Sequence, residues 1–157
     1  MTVRTGIGID SHRLAEGRRL VLGGVTVPHD RGLQGWSDAD VLTHAIIDAV
    51  LGAAGLGDIG EHFPDTDARW RGADSMALLA AAVERAAGEG WRVAYVDATV
   101  MMERPKLAAH KAAIREALGR ALSCPVSLKA TTGEGMGFVG RQEGVAALAV
   151  ATLEPAT

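Results

Sequence analysis

The chain has 157 residues, 48% of them hydrophobic and 4% aromatic, with a net charge of −3. That length and apolar content point to one globular domain over residues 1–157 with a real core, and exclude a disordered chain. The weak acidity and scattered Lys and Arg leave no electrostatic footprint for nucleic acid or an anionic membrane, and the longest apolar stretch, near Val145 to Leu153, is too short to span a bilayer.

In chain order, Val3 to Ile9 reads as a strand, and no signal or transit segment is expected ahead of it. Arg19 to Pro28 reads as a hairpin of two short β-rich runs around Gly23-Gly24. Asp30 to Trp36 is expected to be loop. Ser37 is the expected N-cap of a helix over Val41 to Ala54, which the glycines of Gly55 to Gly60 stop. Phe63 to Asp67 continues as an ordered turn region ending near Gly72. Ser75 caps a second helix, Met76 to Ala87, and a strand follows over Arg92 to Met102. Pro105 opens a third helix, Leu107 to Leu122. Val126 to Thr132 is a strand, a glycine-rich loop comes next, and Glu143 to Leu153 is the last strand. This order implies an α/β (α+β) fold, a mixed sheet with helices on one face. Both faces of the last strand read as buried, so a homo-oligomer is expected to cover the second face of the sheet. Cys124, alone, cannot close an internal disulfide; it reads as a small buried hydrophobe in a protein of the reducing cytoplasm.

Asp10 and His12 stand two apart at the exit of the first strand, so a carboxylate and an imidazole aim at one point. His44 comes from the first helix, a second rigid element. One carboxylate and two imidazoles suit zinc, and three protein ligands leave a fourth position for substrate. An Asp-x-His pair also arises by chance. Asp48, one turn beyond His44, is either the carboxylate that orients the imidazole or a solvated residue or link to another element.

Seven motifs occur together and in order: Asp10-Ser11-His12, Ser37-Asp38-Ala39-Asp40-Val41-Leu42-Thr43-His44-Ala45, Gly57-Asp58-Ile59-Gly60, Phe63-Pro64-Asp65-Thr66-Asp67, Pro105-Lys106, Lys129-Ala130-Thr131-Thr132, and Gly137-Phe138-Val139-Gly140-Arg141-Gln142-Glu143-Gly144. The set resembles the 2-C-methyl-D-erythritol 2,4-cyclodiphosphate synthase family of the non-mevalonate isoprenoid route, over roughly residues 6–154. The resemblance implies a cytoplasmic homotrimer, sheets around the central axis and active sites between neighbours. The implied reaction converts 4-diphosphocytidyl-2-C-methyl-D-erythritol 2-phosphate to the 2,4-cyclodiphosphate with release of CMP, a phosphorus–oxygen lyase chemistry. It also implies that Asp10, His12 and His44 hold zinc, and that Glu134 holds magnesium or manganese between the α- and β-phosphates. Zinc would orient and polarise the β-phosphate as a Lewis acid.

By the same resemblance, Ser37, Asp58, Ile59 and Gly60 bind the methylerythritol portion, and Phe63, Asp65 and Asp67 line that pocket. Met102, Pro105, Lys106, Leu107 and Ala108 form the cytidine pocket. Thr131 and Thr132 bind phosphate, with Thr132 acting in the transition state. Phe138 and Arg141 line an axial cavity that can take an isoprenoid diphosphate. From the residues alone, Phe138 also reads as core, Arg141 and Glu143 as an intersubunit ion pair, and Lys106 as solvated. There are departures from the family pattern. Trp36 stands where the family usually has His, next to the substrate phosphate, and indole donates one hydrogen bond but carries no charge. Gly133 and Gly135 replace a threonine and a lysine beside Glu134, and Ile9 stands where Phe is frequent. Two other readings use the same residues: a zinc phosphohydrolase with water in the open position, and a non-catalytic trimeric binder of prenyl diphosphates.

Overall fold

The first strand and the first helix approach so closely that only glycine fits between them. In a computed structural model, which describes residues 2–157, β1 runs Arg4–Glu16 and α1 runs Val41–Ala54. Alternate β1 residues Gly6, Gly8, Asp10 and His12 share the face toward α1. A Cβ on Gly8 would stand 1.8 Å from the Ala45 carbonyl oxygen, and one on Gly6 2.1 Å from that of Ala49. Ala45, Ala49 and Ala53 recur every four residues and form the matching seam on the helix. The rest of α1 is wrapped in core: Leu42, Ile46, Ile47 and Leu51 are fully buried, and burial of each such side chain is worth about 1.5–3 kcal/mol.

The other strands are β2 (Leu20–Leu22), β3 (Val25–Val27), β4 (Arg31–Gln34), β5 (Trp91–Met101), β6 (Val126–Thr131) and β7 (Gly144–Pro155). The other helices are α2 (Ile59–His62), α3 (Ser75–Gly88), α4 (Lys111–Leu122) and α5 (Gly137–Gly140), with a 3₁₀ turn over Ala68–Trp70. The main sheet has the order β4-β1-β7-β5-β6, with β5 and β6 parallel and every other neighbouring pair antiparallel. The β2–β3 hairpin forms a separate small sheet. Helix α1 packs on β1, β7 and β5, α3 packs on α1, and α4 packs on α3 and β6, so the helices form one layer. This is a mixed α+β architecture.

Several boundaries differ from the sequence reading. β1 does not end at Ile9 but continues to Glu16, because β7 pairs with it from Arg4 through Arg13. Asp10 and His12 therefore stand inside a strand rather than at its exit. The segment taken as loop contains β4, an edge strand paired to the far end of β1. Asp40, not Ser37, caps α1: its carboxylate accepts from Thr43 N at 3.0 Å and from Thr43 Oγ1 at 2.8 Å. The same buried carboxylate accepts from Gly23 N and Gly24 N, at 3.0 and 2.8 Å, in the β2–β3 turn. Both turn glycines have positive φ, 58° and 76°, which suits a type I′ hairpin. Asp74, not Ser75, caps α3. The third helix begins at Lys111, leaving residues 102–110 as a loop. The glycine-rich loop contains the short helix α5.

The second face of β7 is not buried within one chain. Val145, Ala147, Ala149, Ala151 and Leu153 face the helices and are buried, whereas Leu148, Val150 and Thr152 are half-exposed. On the same outer face of β1, Ile7 and Ile9 are 61% and 62% exposed.

The helix–strand contact makes a direct prediction. Gly8→Ala lowers the free energy of unfolding by about 3 kcal/mol, since its methyl meets a backbone oxygen that cannot move aside. Gly88→Ala in α3, where an added Cβ meets nothing, raises it by about 0.5–1 kcal/mol. Urea denaturation of the two variants measures both.

Candidate metal centre and substrate cavity

Beyond Gly8, the helix-facing row of β1 offers Asp10 and His12, and the first turn of α1 lays His44 over them. His12 Nε2 is 2.9 Å from Asp10 Oδ2, His44 Nδ1 is 3.2 Å from the same oxygen, and the two imidazole nitrogens are 3.3 Å apart. Ligands about 2.0–2.1 Å from a tetrahedral zinc lie about 3.3–3.4 Å apart, so three donors at this spacing fit one face of such a shell. The cluster is one of Asp, His and His with each residue offering one ligand atom.

The outward nitrogens of both imidazoles are engaged. His12 Nδ1–H donates to the Gln34 carbonyl of β4 at 2.9 Å, so Nε2 is the nitrogen that meets Asp10. It donates to the carboxylate when the ring is protonated and is the lone pair open to a cation when the ring is neutral. His44 Nε2 lies 2.7 Å from Ser75 Oγ and 3.1 Å from Ser37 Oγ, so Nδ1 faces the cluster. Asp48 does not orient His44: its Oδ1 accepts from Ile59 N at 2.7 Å, tying α1 to the start of α2. Burial pushes the Asp48 carboxyl upward in pKa despite that bond. Burial likewise opposes ionisation of Asp10, but hydrogen bonds and charge from His12 and His44 outweigh it and hold its pKa at about 2. Burial opposes protonation of His12, yet the Asp10 carboxylate and the Gln34 carbonyl prevail and raise its pKa. Arg18 clamps the loop above: its guanidinium donates to the carbonyls of Leu33, Gly35 and Ser37, at 2.9, 3.4 and 3.2 Å.

An open cavity of about 590 Å³ has His12 and His44 in its wall. Trp36, Ser37, Ile59, Gly60, Phe63 and Asp65 line it, as does Trp70, whose ring meets Phe63 edge-on at 5.2 Å. Asp58 and Asp67 do not line it. Asp58 caps α2 through Glu61 N at 3.0 Å, and Asp67 caps the 3₁₀ turn and pairs with Arg69 at 2.6 Å. Both are short-range N-caps; Asp67 is further occupied by Arg69, whereas Asp58 keeps its second carboxylate oxygen free of these bonds. Trp36 is 37% exposed, donates from Nε1 to the Asp67 carbonyl at 3.4 Å, and has the Arg71 guanidinium 4.8 Å over its ring.

Met102, Pro105, Lys106, Leu107, Thr131 and Thr132 line a separate pocket of about 110 Å³; Ala108 is not in its wall. Glu134 is exposed beside it at φ 53°, with its N–H donated to Thr132 Oγ1 at 3.2 Å. Glu103 accepts from Gly133 N and Gly135 N, at 2.8 and 3.3 Å, and so braces the loop on either side of Glu134. Phe138 is 43% exposed, hence not core, and lines a third cavity of about 230 Å³ with His12, Arg13 and Glu143. Arg141 is outside that wall and pairs with Glu143 at 3.3 Å. The metal cluster and the Thr131 pocket lie at the same level of the sheet but on different strands. Ser11 pairs with Ala146, Ala146 with Met101, and Met101 with Thr131, a separation of three strand spacings, or about 14 Å.

Sequence reasoning missed Gln34 and Ser75 as the partners of the imidazoles. Gln34 acts through its backbone carbonyl, which leaves no residue-type signal, and Ser75 reads as a helix cap.

A family profile described as the YgbB family matches residues 3–154. A protein of Salinibacter ruber named 2-C-methyl-D-erythritol 2,4-cyclodiphosphate synthase is 62% identical, over 98% of this chain and all of that one. A solved structure of a synthase of that name in a CDP-bound form superposes with a TM-score of 0.89 at 40% identity, covering 96% of this chain and all of that one. The bifunctional IspDF of Campylobacter jejuni superposes with a TM-score of 0.94 at 42% identity, over 98% of this chain and 42% of that longer one. The chain belongs to the YgbB family, the family of the 2-C-methyl-D-erythritol 2,4-cyclodiphosphate synthases.

Proposed function

We propose that the chain converts 4-diphosphocytidyl-2-C-methyl-D-erythritol 2-phosphate to 2-C-methyl-D-erythritol 2,4-cyclodiphosphate and CMP. The observation that carries this reading is the Asp10, His12 and His44 donor set, at tetrahedral spacing in the wall of an open cavity, in a chain of this family. An oxygen of the 2-phosphate attacks the β-phosphorus, and the bond from that phosphorus to the oxygen bridging to the α-phosphate breaks. CMP departs with that oxygen. The barrier is repulsion between anions and the entropy of folding the substrate back on itself. Zinc on the three donors, with magnesium or manganese on Glu134, supplies positive charge that the side chains of this weakly acidic protein do not.

The residues of the chain then bind and orient. Ser37, the Ile59-Gly60 backbone, Phe63 and Asp65 hold the methylerythritol portion in the larger cavity. Lys106, Thr131 and Thr132 hold the diphosphate, and the Met102–Ala108 segment holds cytosine; the CDP complex of the related synthase supports a nucleotide-linked substrate. The two groups of residues work on one substrate when a neighbouring copy brings its Thr131 pocket to this chain's cluster. A homotrimer with sheets around its axis does so, and the exposed Ile7, Ile9 and Tyr95 give it an apolar face to bury. The cavity bearing Phe138 faces that axis and takes an isoprenoid diphosphate, with Arg141 at its rim. No helix among the described residues is long and apolar enough to cross a membrane, and the location that goes with the proposed reaction is the cytoplasm.

Phosphorus NMR with the cytidyl substrate, zinc and magnesium tests the reaction. Two coupled cyclic-diphosphate resonances are expected to appear together with CMP. Orthophosphate in place of CMP, or no product from either the parent or Trp36→His, overturns it. His44→Ala loses zinc and turnover together, whereas Glu134→Gln lowers turnover by on the order of 100-fold with zinc retained; metal content and CMP release measure the pair.

The pKa shifts add a pH dependence. In metal-free protein Asp10 stabilises the fold above its ordinary 3.8, and that contribution is lost as pH falls toward 2. His12 stabilises it below its ordinary 6.5, and that contribution is lost as pH rises through its raised value. The pair contributes most between about pH 4 and 6.5. Zinc needs neutral His12, so the rise in unfolding temperature that zinc causes grows as pH rises from about 6.5 through the raised His12 value. Thermal unfolding with and without zinc measures it, and a zinc effect constant over that range contradicts it.

A further inference from the structure

The outward nitrogen of His44 leads into a chain of three groups that joins two helices. Ser75, the first residue of α3, is fully buried, and its Oγ lies 2.7 Å from His44 Nε2. Ser75 Oγ–H donates in turn to Asp38 Oδ1 in a short contact, and Ser75 N–H donates to Asp38 Oδ2 at 2.9 Å. Asp40 N–H adds a third bond to the Asp38 carboxylate at 3.1 Å.

Proton counting decides the tautomer. An ionised carboxylate only accepts, so the single hydroxyl proton of Ser75 goes to Asp38. What Ser75 Oγ then offers His44 is a lone pair, and Nε2 must carry the proton. Nδ1 is left bare toward Asp10 and His12. Ser37 Oγ, 3.1 Å from the same nitrogen, cannot decide this, because its hydroxyl proton is free to turn toward the imidazole or away from it. The Asp38 carboxylate removes that ambiguity, and its bonds to α3 fix the angle of the ring.

We infer that Asp38 and Ser75 are positioning residues for the cation, acting as one unit through His44. The inference rests on reading Asp10, His12 and His44 as a metal site. It extends the site to α3, an element that contributes no ligand, so the cation links the packing of α3 to that of α1 and β1.

The test uses zinc alone, titrated against a chromophoric chelator, on the parent, Ser75→Ala, Asp38→Asn and the double variant. Each single change is expected to weaken zinc binding by about 10–100-fold. The double variant is expected to be little worse than either, because the two residues form one chain. The visible spectrum of the cobalt-substituted protein is expected to change in both single variants, a readout that a purely structural role for α3 does not move. Zinc affinity within twofold of the parent in both, or losses that add in full, overturns the inference while leaving the metal site in place. A parent that binds no zinc overturns the metal-site reading, and this inference with it. Asp38→Asn preserves side-chain size and carries the test if Ser75→Ala fails to fold.

Discussion

The contact of α1 with the glycine row of β1 is the constraint on which the rest of the molecule depends. Gly6 and Gly8 let the helix backbone sit directly on the strand, and Ala45, Ala49 and Ala53 keep its underside small. The next two residues of the row, Asp10 and His12, then meet the first turn of the helix, where His44 stands. Side chains of any size at positions 6 and 8 would lift α1 and move His44 Nδ1 away from the other two donors. Packing and ligand geometry are thus set by one surface, and a small-residue seam that looks like mere economy of volume is what focuses the site.

Around that contact the polar groups are used to hold loops rather than to meet solvent. Asp40 serves both α1 and the β2–β3 turn with one buried carboxylate. Burial alone would raise its pKa strongly, and the N–H groups of Thr43, Gly24 and Gly23 offset part of that cost. Arg18 gathers three carbonyls of the loop that brings Trp36 and Ser37 to the cavity. Glu103 does the same for the loop of Glu134. The two braced loops belong to different halves of the sheet, and the exposed apolar strip of β1 and β7 lies between them. A single chain leaves that strip uncovered and keeps its cavity and its Thr131 pocket three strand spacings apart.

Much of this was legible in the sequence, for identifiable reasons. Helix α1 was bounded correctly because its apolar pattern ends at a Gly-rich stop, and the Gly23-Gly24 hairpin because the turn chemistry is local. Asp10, His12 and His44 could be grouped because strand and helix periodicity both apply to them. Strand β4 was missed, since Arg31-Gly32-Leu33-Gln34 has no strand pattern of its own and pairs only because β1 runs on past Ile9. The helix caps shifted by one to three residues, as Ser37, Asp38 and Asp40 all have the right chemistry and only tertiary bonds choose among them. Asp58 and Asp67 illustrate the converse: their local capping bonds appear only in the structure, since a capping carboxylate and one facing a substrate look alike in sequence. The burial of both faces of β7 was an expectation about an assembly, and a single chain exposes the second face.

The central claim is that one carboxylate and two imidazoles, brought together by α1 on β1, hold a single cation with a position left open. X-ray absorption at the zinc edge of the zinc-loaded protein tests it most directly. The account predicts a four-coordinate shell of nitrogen and oxygen at about 2.0–2.1 Å, with the outer-ring scattering of two imidazoles. A sulfur ligand from Cys124, or a shell of oxygens without imidazole, would contradict it.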